Sequence, residues 1–128
     1  MPPAPKHAAD LTDPSAHLPL TNLAFHILLA LADERRHGYA IIRDIERRTG
    51  GSMRLRSGTL YTAIYRLQGD GLVEDCPPDL APEHGDRRRR YFQITDLGRR
   101  AATLEAGRLA EMVSTAKQKA LFNEAAPQ

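Results

Sequence analysis

Tryptophan is absent from the 128-residue sequence, cysteine occurs once, and aromatic residues make up only 5%. A lone thiol, Cys76, can form neither an internal disulfide nor a multi-thiolate metal site, so the chain reads as a protein of a reducing compartment and not a disulfide-stapled scaffold. No apolar run approaches the roughly 18 residues that span a bilayer. The N-terminus also lacks the charged and apolar regions of a signal peptide, and a cytoplasmic protein is expected. Cys76, His84 and Asp86 lie close in sequence, but no oxyanion donors or Gly-rich loop accompany them, so an enzyme is not expected. His26 has no second ligand three or four residues away and reads as a packed histidine, and no metal or other cofactor is expected. His37, Asp44 and Glu46 share no spacing that would bring them together on one helix face.

What the chain does have is enough apolar content, 41%, to bury the core of one domain, and a charge that is strongly patterned. The net +2 divides into +2 over 51–71, −5 over 72–86 and +5 over 87–100, with the remaining segments near zero. If the two positive blocks are neighbours in space, they form a surface suited to a polyanion.

Residues 1–17 hold four of the nine prolines and no periodicity, and are expected to be a flexible N-terminal arm. Thr21 then caps a first helix in which Leu23, Ile27, Leu28 and Leu31 recur at helical spacing. His37-Gly38-Tyr39 opens a second helix with Tyr39, Ile42 and Ile45 as its apolar face, stopped by Gly50-Gly51. The third helix, within 56–72, buries Leu60, Ala63, Ile64 and Leu67, with Ser57 placed to accept a hydrogen bond from a first-turn N–H. Its other faces carry Thr59, Thr62 and Arg66, and beside them Tyr61 and Tyr65, groups that bind phosphates and base edges. Three short helices with the third polar on one side match the helix-turn-helix layout, in which the third enters the major groove.

An edge strand over 72–76 and a returning strand over 89–95 then read as a hairpin, with Arg87, Arg88, Arg89 and Arg90 at its basic tip, where each can neutralise a phosphate. Four adjacent arginines repel one another, which favours an anionic partner over a solvated loop. The last segment, 96–122, reads as one helix on which Ala102, Ala106, Leu109, Val113, Ala116 and Ala120 form the seam of a helix pair, so a homodimer is expected. The expected fold class is therefore mainly α with a small two-stranded β-wing. Residues 18–95 form a winged helix-turn-helix domain, 96–122 a long dimerisation helix, and 123–128 a tail.

Five ordered motifs, H-G-Y-A-I at 37–41, S-G-T-L-Y-T-A-I-Y-R-L at 57–67, G-L-V-E at 71–74, R-Y-F-Q-I-T at 90–95 and D-L-G at 96–98, together resemble the PadR-like transcriptional regulators, in the small subgroup with one C-terminal helix. The resemblance covers roughly residues 18–122 and departs at Gly58, where members often carry Pro. It implies a homodimer that binds a palindromic double-stranded DNA operator, usually as a repressor, with small aromatic or amphipathic molecules as effectors. Residue by residue it implies that Ser57, Thr59, Tyr61, Thr62, Tyr65 and Arg66 face DNA. Arg87, Arg88, Arg89, Arg90 and Tyr91 fall in or beside the wing, and Tyr39 either reaches a phosphate or plugs the core. The rival reading is a winged-helix protein–protein adaptor without DNA binding.

Overall fold

The computed structural model describes residues 10–81 and 89–123. Four helices, α1 (Asn22–Ala32), α2 (Gly38–Arg48), α3 (Ser57–Gly69) and α4 (Asp96–Gln118), surround a small sheet of β1 (Arg36–His37), β2 (Val73–Asp75) and β3 (Tyr91–Ile94). Side chains near the helix starts supply three of the caps. Thr21 Oγ1 accepts from Ala24 N at 3.1 Å, His37 Nδ1 from Ala40 N at 3.1 Å and Thr95 Oγ1 from Gly98 N at 2.9 Å, each satisfying an amide that a helix start leaves without a partner. Thr95 also donates to the Gly71 carbonyl at 2.7 Å, which ties the start of α4 to the turn after α3.

The mainly helical winged class holds, but the sheet has three strands in the order β1-β3-β2 where the sequence suggested two. The added strand has only two residues, Arg36 opposite Phe92 and His37 opposite Tyr91. It places the start of α2 directly beside the wing. The core is aliphatic, drawn from Ile27, Leu28 and Leu31 of α1, Ile41 and Ile45 of α2, Leu60, Ile64 and Leu67 of α3, with Leu72 and Val73. Phe92 is its one fully buried aromatic side chain. Ile41 takes the place expected of Tyr39, which is 57% exposed.

Two carboxylates are buried with this core, and both are held by arginine, as burial of a charge requires. Asp44 accepts from Arg47 at 2.6 Å and Arg48 at 2.8 Å, with Arg36 at 3.7 Å. Glu105 accepts from Arg108 at 2.8 and 2.6 Å and also from the Leu20 amide, and the Arg108 hydrogen bonds hold its carboxyl below the usual range. Pro14–His17 of the expected arm form a short 3₁₀ turn, begun by Asp13 accepting from Ser15 N at 2.9 Å and packed on α4.

α4 ends at Gln118 and not at residue 122. Ala120 turns into the left-handed region at φ 60°, and Leu121 N returns to the Ala116 carbonyl at 2.8 Å, the hydrogen bond that closes a helix C-terminus. At 23 residues α4 is about 34 Å long. Gly98, Ala101 and Glu105 bury its first half, whereas Met112, Val113 and most of the later turns stand exposed. No helix among the described residues is long and apolar enough to cross a membrane.

Candidate nucleic-acid interface

α3 packs through Leu60, Ile64 and Leu67, so the residues opposite that stripe must face outward. Ser57, Gly58, Thr59, Thr62, Tyr65 and Arg66 are all exposed. Ser57 is the first helical residue and not the cap; Arg56 occupies the cap position and makes no side-chain cap bond. Two exposed arginines, Arg54 and Arg56, stand at this helix start. A helix start in a cationic setting favours an anion.

The two tyrosines expected side by side do pack together, with ring centroids 5.9 Å apart, but they differ in burial. Tyr65 is exposed, but Tyr61 lies half-buried against the Phe92 ring, with centroids 6.1 Å apart. A Cβ on Gly38 would overlap the Tyr61 hydroxyl and lie 2.7 Å from its Cζ. Gly38 therefore leaves the space into which α3 sends the Tyr61 side chain. Tyr91 is in the wing, as the first residue of β3, but its side chain is covered. It is only 6% exposed, its ring meeting the edge of His37 at 5.3 Å, because β1 covers that side of β3.

Tyr39 lies outside the core. Its ring has the Arg43 guanidinium at 5.7 Å and that of Arg89 at 5.9 Å from its centroid, and stacks on His37 at 6.5 Å. Two guanidinium groups from different elements thus converge on one exposed phenol. Arg43 was not anticipated; its place one turn after Tyr39 was the available signal. Arg90 pairs with Asp75 of β2 at 2.7 Å, which lowers the Asp75 pKa below its usual range. Arg87 and Arg88 lie outside the described residues.

The candidate dimer seam divides. Ala102 packs on the protein's own core, Leu109 and Ala116 are half-buried, Ala106 and Val113 are exposed, and Ala120 lies beyond the end of the helix, which removes it from the seam. Groups proposed for other chemistry have other duties. His26 Nδ1 is 3.2 Å from Arg48, and partial burial and then that charge depress its pKa, while burial raises that of Cys76.

The model of the transcriptional regulator PadR-like family matches residues 27–104, which run from the second half of α1 through β3 to the first part of α4. The chain belongs to the PadR-like family. A transcriptional regulator of Mycobacterium tuberculosis is 34% identical over 89 residues, 68% of this chain and 75% of its own length. A PadR-like transcriptional regulator from Bacillus cereus matches in structure with a TM-score of 0.63 and 25% identity, over 80% of this chain and 93% of that one. An uncharacterized protein of Lysinibacillus sphaericus is 32% identical over 73 residues, 57% of this chain, which spans 64% of that relative's length. Within a PadR-like fold α3 is the third helix of the helix-turn-helix and the β2–β3 hairpin is the wing.

Proposed function

We propose that this PadR-like regulator is a sequence-specific repressor that binds a palindromic operator as a homodimer in the cytoplasm. The observation that carries the reading is the exposed strip of Thr59, Thr62, Tyr65 and Arg66, flanked by Arg54 and Arg56 at one end and by the Tyr39–Arg43–Arg89 cluster beside it. Hydroxyls and a guanidinium along one helix face read base edges, while the flanking arginines neutralise phosphates and set position without reading sequence. The dimer is assigned to the exposed second half of α4, where Leu109, Met112, Val113 and Ala116 offer an apolar stripe to a second copy.

A small aromatic or amphipathic effector fits the same reading. A groove of about 680 Å³ lies between the α1 start and α3, lined by Leu20, Leu23, Ala24 and Ala63 together with Thr59, Thr62 and Arg66, in the size range of small-molecule sites. An occupant there competes with DNA for the same side chains.

The test is to select binding duplexes from a random-sequence pool and to measure affinity for selected and unrelated DNA at several salt concentrations. Thr62→Ala or Arg66→Ala should narrow the difference between the two DNAs by about 1–3 kcal/mol. Arg43→Ala or Arg89→Ala should weaken both alike and flatten the salt slope by about 0.9 per lost phosphate contact. Absence of any duplex affinity at low salt would overturn the reading in favour of a protein–protein adaptor.

A further inference from the structure

Arg90 lies just before β3, and its guanidinium is engaged by the protein itself. Its Nε donates to Asp75 Oδ1 at 2.7 Å and its Nη2 to Oδ2 at 3.0 Å, a two-point fork, and Nη1 donates to the Tyr65 hydroxyl at 3.3 Å. Its Cζ also stands 5.5 Å from the Tyr65 centroid and 5.1 Å from that of Phe92. From the other side Gln68 Nε2 donates to Asp75 Oδ1 at 3.3 Å. One carboxylate and one guanidinium thus join both strands of the wing to the exposed face of α3.

Their place in the sheet gives this junction leverage. Asp75 is the last residue of β2, and the bond from Cys76 N to the Tyr91 carbonyl at 2.8 Å is the outermost rung of the ladder. Stability does not account for the arrangement, because Arg90 and Asp75 are 48% and 54% exposed and ion pairs in water contribute little. Nor does affinity, since a carboxylate beside a DNA surface repels phosphate.

We infer that Asp75 and Arg90 are positioning residues that fix the wing against the recognition helix and orient Tyr65, so that Arg90 governs discrimination between DNA sequences without itself neutralising a phosphate. This rests on the DNA-binding reading above. A fork to a carboxylate needs arginine's planar geometry, which lysine lacks while keeping its charge.

The two roles predict opposite signs, which makes the pair testable on the full chain. The probes are a duplex selected by the wild-type protein from a random-sequence pool and an unrelated duplex of equal length, each titrated at several salt concentrations. In Asp75→Asn the released Arg90 becomes free to meet a phosphate, so affinity for unrelated DNA should rise two- to threefold and the salt slope should steepen by about 0.9 per protomer. The preference for the selected duplex should nevertheless fall by about five- to tenfold, the effect of one mis-set base contact. Arg90→Lys should lose the same preference with the slope unchanged, and Asp75→Glu, which keeps the carboxylate, should recover most of it. Equal gains on both duplexes in Asp75→Asn, or an intact preference in Arg90→Lys, would reduce the pair to an ordinary surface ion pair and overturn the inference. If the wild-type protein enriches no sequence, the DNA-binding reading falls and this inference with it; if it does and the preferences are unchanged, only the inference falls.

Discussion

Two glycines of α4 should respond to the same substitution with opposite signs. A Cβ added at Gly98 overlaps the Leu72 carbonyl oxygen and stands 3.0 Å from Ile94 Cγ1. The obstacle is backbone, and it is pinned, because the Leu72 carbonyl accepts from Thr95 N at 3.1 Å and Thr95 in turn caps α4. Overpacking of this kind costs about 1–3 kcal/mol, and a fixed backbone atom places Gly98→Ala at the upper end. The helix-forming advantage of alanine, about 1 kcal/mol, works against it. The net expectation is a loss of about 2 kcal/mol, or roughly 8 °C in melting temperature for a domain of this size. At Gly107 a Cβ meets nothing within 4 Å, so Gly107→Ala should gain up to about 1 kcal/mol from propensity alone. Thermal and urea unfolding followed by circular dichroism, at one fixed protein concentration because dimerisation adds to apparent stability, measures both. A Gly98→Ala protein that melts at or above the wild-type temperature would show that α4 does not press on the strand entry as described.

Two further outcomes follow from α4. Glutamates at the seam, Leu109→Glu together with Val113→Glu, should raise the dimer dissociation constant at least about tenfold by burying like charges while leaving the buried Ala101 and Glu105 in place; light scattering that still reports dimers would move the interface elsewhere. Arg108 holds the Glu105 pKa below its ordinary value, so the unfolded chain takes up this proton first. Its contribution is complete above the unfolded value of about 4.3 and is lost as pH falls through the depressed folded value. Glu105→Gln should flatten that acid limb of the stability profile, and an identical limb in both proteins would deny the coupling.

The parts of this fold that were legible in the sequence are those set by local chemistry. Thr21 and Thr95 stand before helical patterns and do cap them, and the periodic aliphatics of α1 and α3 are the core. What escaped depends on neighbours distant in sequence. β1 has two residues and exists only through Phe92 and Tyr91, so no local pattern announces it. Periodicity gave the direction of Tyr61 from its own helix but not the presence of Gly38 across from it, and the burial of Tyr91 likewise depends on β1, which no local pattern shows. Glu105 fell within the core-facing stripe of α4, where a charge breaks the apolar pattern unless its arginine partner is seen. The early end of α4 had no Gly or Pro to mark it; an alanine took the left-handed position instead.

The Asp44 cluster changes what the arginine count of α2 means. One buried carboxylate serves as a built-in counterion for Arg36, Arg47 and Arg48. Arg43 is left as the arginine of that helix with no ion pair among the described residues, beside Tyr39. The arginine count therefore overstates what this face offers an incoming polyanion. A phosphate approaching Arg47 must compete with a carboxylate that cannot be withdrawn into water, whereas one approaching Arg43 meets a guanidinium that lies over the Tyr39 ring. The helix behaves as a nearly neutral support with one cationic contact, and its contribution to binding should depend on geometry more than on composition.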